Sequence, residues 1–526
     1  MNDSDDDLQQ PTVCVPETLL PPFEELDKTG QPIERGPGPG FCPAGNWRED
    51  GICRPFNNRR DDWMGYYNFY KLPIPWAIFP GTHNSGMDKE AGYTHSTITC
   101  QDVPISKQLV SGIRAFDLRV AFYPNEAGAK RFQFYHGASS QRTVLNDLIR
   151  AYMLFRSGTT SRMKEVIILD FHGFANFTTA AHGELQKLLI DELGSWIIGP
   201  EFKDSPLDHI WTFGKTVVVS YNHHVSHSLF WPAVNQRWIG KDIPSTEELK
   251  RFVEAVGNEN HNGALYAIQA HKYTKVMQPD DFCEELMGWF AGDQSYGSPV
   301  LKYNIINTDW SLRCRMVDNI IWGNDFNHRY LVSSIPARQN PSTTGRAEVP
   351  AQMQPLVFYE MVDGNWIPDA TLAIRHGSVR STVLLMCRST LPISLDMTTS
   401  NVPVNLKLER GEYVFLYHTE VTGKYFGRWV VRPRVYRPLA NGNTPKPEGR
   451  NGCKIIIYQA ADTDWFERVY LPPVVSDTSV IIFRSQAAFD YVIDGSNSEN
   501  GAAVTIKKGQ EFRYQYSAAI GKWRQF

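Results

Sequence analysis

Between about residues 61 and 335, short apolar runs alternate with segments whose apolar residues recur every three or four positions. Trp76–Phe79, Ile113–Val120, Phe132–Tyr135, Val166–Asp170, Thr216–Tyr221, Leu265–Ile268 and Asn304–Asn307 read as strands. Leu185, Leu188, Leu189, Leu193 and Trp196 mark the buried face of a helix over 185–197. Leu249, Phe252, Val253 and Val256 mark another over 246–256, with Ser245 placed to cap it. Strands that alternate with helices predict a mostly parallel sheet, and this many units fit an α/β fold of the TIM-like (β/α) barrel type.

Beyond about residue 345 helical periodicity fades, and β-branched and aromatic residues take over. Ser381–Leu385, Leu406–Tyr413 and Trp429 are repeated in kind by Thr478–Ile482, Thr505–Phe512 and Trp523. The pattern predicts two all-β C-terminal modules, 345–435 and 453–526, separated by a Pro/Gly/Asn-rich linker around Leu439–Gly452. Residues 1–60 read as an irregular N-terminal arm, because Glu34–Gly40 alternates glycine and proline.

The chain has 526 residues, enough for at least two domains. Its net charge of -4 and pI near 6.4 argue against a nucleic-acid partner bound through global charge. No apolar run reaches membrane-spanning length, and the acidic start Asn2–Asp7 lacks the features of a secretory signal. Localisation stays open on this reading, including export by a signal-independent route. Eight dispersed cysteines without a Cys-x-x-Cys pair disfavour structural zinc. Cys42 and Cys53 bracket one short loop and are candidates for a disulfide; most of the others read as buried free thiols.

Four segments carry candidate chemistry. Pro80-Gly81-Thr82-His83-Asn84-Ser85-Gly86 presents a histidine after a strand, with glycines to turn the backbone. In Ile113–Arg119, strand alternation puts Asp117 and Arg119 on one face, pointing inward. An inward charged pair is costly unless it is paired or used. Tyr135-His136-Gly137 offers a second strand-end histidine, and Asn307-Thr308-Asp309 a strand-end carboxylate. Each alone also suits a structural role; together, in one alternating domain, they point to an acid–base site at a barrel mouth.

Residues of about 70–325 resemble the X-domain of phosphatidylinositol-specific phospholipases C. The resemblance rests on Pro80–Ser85, Gln108–Arg119, Tyr135–Gly137 and Glu165–Asp170, taken in order. It implies a distorted (β/α) barrel whose catalytic histidines fall on His83 and His136. Arg119 then holds the phosphate, Asp117 matches the neighbouring acidic position, and Asp309 orients the first histidine. Asn84 and Tyr221 are assigned to substrate, Tyr221 by position alone as a ring to stack on inositol.

The reaction implied is cleavage of an inositol phospholipid to diacylglycerol and a cyclic inositol phosphate, at a phospholipid membrane surface. Calcium-dependent animal members share His-Asn at 83–84 but carry a carboxylate where this chain has Arg119, so no metal and no cofactor are expected. The alternatives are a related phosphodiesterase acting on another phospholipid and an inactive lipid-binding barrel. Trp231 and Trp238 are candidates for an interfacial rim, with core packing the competing role. His223, His224 and His227 form a local cluster, read as a solvated loop. The β modules are expected to bind carbohydrate or protein, or to be structural, their candidate aromatics being Trp366, Trp429, Trp465 and Trp523.

Overall fold

This computed structural model describes residues 46–49, 52–55 and most of 60–526; the excepted stretches are short, the longest being 337–345 and 373–381. Among the described residues the barrel region contains nine strands: β1 Phe79–Thr82, β2 Ala115–Phe122, β3 Phe132–His136, β4 Ala138–Thr143, β5 Ile167–Ala175, β6 Val217–Tyr221, β7 Asn235–Arg237, β8 Tyr266–Gln269 and β9 Ile305–Thr308. Parallel ladders run β6–β5–β2–β1–β9–β8–β7. Between β6 and β7 the described residues show a single bridge, Ser220 to Trp231. The Ser220 hydroxyl holds this seam, donating to Pro232 O and accepting from Val234 N. The ring is thus a barrel distorted at one seam.

Burial on both faces explains the unbroken apolar runs: Ile167, Ile168, Leu169, Val217, Val218 and Val219 are all buried. Two helices follow the predicted pattern. The first, α1 Thr179–Leu193, starts earlier than its apolar stripe because the Thr178 hydroxyl caps it by accepting from Ala181 N. The second, α2 Thr246–Gly257, begins with a capping box between Ser245 and Glu248.

Two strand expectations are corrected. The first begins at Phe79 because Ile74–Trp76 forms a 3₁₀ turn, with prolines at 73 and 75. Phe132–His136 is not a barrel strand; β3 pairs antiparallel with the far end of β2 and forms a hairpin with β4. This hairpin, turned at Gly137 with φ +73°, brings His136 over the mouth.

The C-terminal half forms two β sandwiches with matching strand order. In the first, Leu356–Met361 pairs parallel with Thr382–Cys387, which pairs antiparallel with Tyr413–Glu420. In the second, Ile455–Ala460, Val480–Ser485 and Glu511–Ser517 repeat that arrangement. The seams differ from those expected. Val332–Pro336 already pairs with Leu356–Met361, and Arg434–Tyr436 opens the second sandwich. The proposed linker therefore falls within the second sandwich, and most of it lies outside the described residues.

Trp523 is core, its indole donating to Pro472 O, whereas Trp465 is exposed beside Phe489. Trp366 and the side chain of Trp429 lie outside the described residues. So do Cys14, Cys42, the Cys53 side chain, Cys314 and most of the N-terminal arm. That arm is not wholly irregular: Asn46–Glu49 and Ile52–Pro55 form an antiparallel pair. Cys100 is a buried free thiol, and Cys283, Cys387 and Cys453 are also buried. Among the described residues no helix is long and apolar enough to cross a membrane.

Candidate active site

His83 leaves the C-terminal end of β1, and its backbone N–H donates to Thr308 O on β9 at 3.0 Å. Gly81 is required by proximity rather than by a turn: a Cβ there would lie 2.0 Å from Asn307 Oδ1. Gly86 likewise clears the Phe134 ring, which a Cβ would meet at 2.2 Å. Asn84 takes φ +46°, a left-handed conformation that Asn tolerates. The Gln101 amide donates to both His83 O and Thr308 O, tying the loop to the barrel rim.

The imidazole of His83 is 1% exposed. Its Nδ1 lies 2.7 Å from Asp309 Oδ1. Its Nε2 faces two donors, Asn84 Nδ2 at 3.0 Å and Arg119 Nη2 at 3.1 Å. The partners dictate the tautomer: Nδ1–H donates to the carboxylate and Nε2 keeps its lone pair. Burial, then the Arg119 charge, holds His83 well below the ordinary histidine value, so it rests neutral. Burial pushes Asp309 up to about 6.

His136 stands with its ring centroid 6.1 Å from that of His83. Its Nδ1 is 3.3 Å from Ile98 O and its Nε2 3.4 Å from the Tyr273 hydroxyl. Burial and Arg119 lower its pKa too, less strongly than for His83. Arg119 Nε lies 3.7 Å from Asp117 Oδ1. Burial would raise Asp117, but His172 and Arg119 outweigh it and hold the carboxyl below its usual value.

The structure thus brings His83, Asn84, Asp117, Arg119, His136 and Asp309 together. Tyr221 does not join them, which corrects its assignment to substrate. It is 2% exposed, its hydroxyl is 2.9 Å from His182 Nδ1, and its ring packs among Phe171, Phe174 and Phe230. A strand buried on both faces leaves that side chain in the core. Trp231 is core as well, while Trp238 is exposed. His224 and His227 are exposed on a loop, as expected, while His223 stacks on His182 and lines a cavity of about 500 Å³ with it and His227.

Several residues were missed. His172 sits between Asp117 and Asp170, at 3.4 and 3.3 Å, and these two carboxylates raise it despite burial. Its signal was present, since alternation along β5 puts Asp170 and His172 on one face. Gln269 donates to Asp117 and to Gln236, which in turn donates to Asp170. His271, just past β8, lies flat on His83 with centroids 3.6 Å apart and planes 8° apart. A histidine soon after a strand end is the same signal that marked His83.

His83, His271 and Asp309 offer donor atoms within 4.8 Å of one another. The two stacked rings hold their in-plane lone pairs in parallel sheets, so these do not converge on one ion. Near Asp117, a cation would also meet the Arg119 guanidinium.

The barrel and its mouth define the class, a phosphodiesterase-like barrel fold. Comparison of the chain with known proteins agrees. It is 26% identical over 239 residues to PI-PLC X domain-containing protein 1 of Danio rerio, covering 39% of this chain and 74% of that protein. It is 27% identical over 174 residues to PI-PLC X domain-containing protein 3 of Homo sapiens, covering 32% of this chain and 52% of that one. Among solved structures, phosphatidylinositol-specific phospholipase C from Listeria monocytogenes aligns with a TM-score of 0.40 at 17% identity, over 50% of this chain and 98% of that one. Over the barrel the chain is thus similar, at 26–27% identity, to PI-PLC X domain-containing proteins. Residues 454–526 match a different model, the beta-sandwich domain of metalloprotease StcE.

Proposed function

We propose that this chain cleaves an inositol phospholipid by internal attack, releasing diacylglycerol and a cyclic inositol phosphate. The observation that carries the reading is that His83 Nε2 is unprotonated, its lone pair turned toward the Arg119 guanidinium and the Asn84 amide, with a second imidazole centred 6.1 Å away. His83 removes the proton of the inositol 2-hydroxyl, and that oxygen attacks phosphorus. His136, entering protonated, gives its proton to the departing glycerol oxygen. Arg119 neutralises the non-bridging oxygens. Asp309 holds the His83 tautomer and balances the imidazolium as it forms. Water then opens the cyclic ester with the histidine roles reversed. The nucleophile belongs to the substrate, so positioning supplies much of the rate.

Access to lipid is supported by apolar side chains on loops that follow strand C-termini. Tyr93 follows β1, Trp238 and Ile243 follow β7, and Val276 and Met277 follow β8; all are exposed. Such a rim suits a membrane interface. Phosphatidylinositol vesicles provide the test. Wild-type protein is expected to release diacylglycerol in the presence of a calcium chelator. Loss of activity on chelation, restored by calcium, would overturn the metal-independent reading.

A further inference from the structure

We propose that His271 is a positioning residue for His83, acting through its ring rather than its basicity. The inference rests on the proposed reading of His83 as the base. His83 is anchored along its edges by Asp309, Asn84 and Arg119, but edge contacts leave the ring free to tilt. The face of the ring is what His271 covers, at 3.6 Å and nearly parallel. His271 is itself buried, and its Nδ1 has no hydrogen-bond partner among the described residues. No hydrogen bond from that nitrogen fixes the ring among the described residues, so the stack on His83 is what holds its plane there. Tyr273 meets it edge-on at 6.2 Å and completes the wall.

The groups that face His271 are Asp309, Arg119, His83 and His136. Burial and the neighbouring His83 hold it neutral, as the stack requires, since two stacked imidazolium rings would repel. A neutral ring on the face of His83 keeps water off it at rest. The same ring offers its π face to the imidazolium that forms when His83 takes the proton.

Three variants separate ring from basicity. His271→Phe keeps a flat ring without nitrogen; His271→Ala removes the ring; His271→Asn keeps polarity without aromaticity. The readouts are kcat, KM, the acid limb of the kcat–pH profile, and the His83 titration followed by NMR in the intact chain. His271→Ala and His271→Asn are expected to lose about tenfold in kcat with KM little changed. In both, the His83 titration and the acid limb move up toward the ordinary histidine range. His271→Phe is expected to restore the titration and most of the rate.

The proposal is overturned if His83 titrates alike in wild type, His271→Ala and His271→Asn. It is equally overturned if Phe fails while Asn restores function. Should wild type cleave no inositol lipid, the proposed reaction fails, yet the NMR titration still decides whether His271 governs His83. If the alanine variant does not fold, the Phe and Asn pair carries the same comparison.

Discussion

Two arginines, one just before β2 and one in its middle, five residues apart, have opposite fates. Arg114 is fully buried and spends all five of its donors: Nε on Glu165, Nη1 on Leu109 O and Ile113 O, Nη2 on Arg60 O and Asp61 O. Arg119, nearer the mouth, is about a third exposed. It gives Nη2 to His83, and its Nε has no hydrogen-bond partner among the described residues. Around it Asp309 Oδ2, Asn84 Oδ1 and Asp117 Oδ1 also lack hydrogen-bond partners among the described residues. A saturated charge holds a fold together; an unsaturated set at a barrel mouth is arranged for something that arrives.

This contrast can be broken in order of expected effect. His83→Ala and His136→Ala should each lower kcat by roughly two to four powers of ten in steady-state assays on phosphatidylinositol, with unfolding midpoints little changed. Folded variants with full turnover would remove them from the mechanism. Glu165→Ala should do the reverse. Stranding the buried Arg114 should cost about 3–5 kcal/mol in denaturant unfolding, while turnover per folded molecule is retained. Arg119→Ala should lower kcat about a hundredfold and leave stability nearly untouched, since its bonds are few.

The pH profile sharpens the comparison further. The base must be neutral and the acid protonated. Burial and Arg119 lower both histidines, His83 more than His136, so one window satisfies both. The maximum of kcat/KM should therefore fall below the ordinary histidine value of about 6.5. The rate should drop at higher pH as His136 loses its proton. A maximum above about pH 8 would contradict the lowering of both histidines by burial and Arg119. The smallest expected effect is at the rim. Val276→Glu should weaken vesicle binding severalfold and raise KM without changing kcat on a soluble substrate.

Much of this was legible in the sequence because the barrel writes its strands as apolar runs and its mouth as polar residues just after them. His83, Asp117, Arg119 and Asp309 follow from alternation and strand ends. His136 was found for a partly mistaken reason, since its strand is a hairpin packed beside the ring. The role of Tyr221 was misread because a strand buried on both faces hides even its last side chain. His271 went unread because stacking of two rings from distant loops leaves no periodic trace. The sandwich seams were missed because the parallel partners of each sheet lie far apart in sequence.

The most direct test of the central claim is phosphorus NMR of phosphatidylinositol vesicles incubated with the protein and a chelator. The lipid phosphodiester signal is expected to fall while a strained five-membered cyclic phosphate signal rises before any monoester. His83→Ala is expected to abolish both changes. An unchanged lipid signal, or a monoester formed with no cyclic precursor, would contradict it.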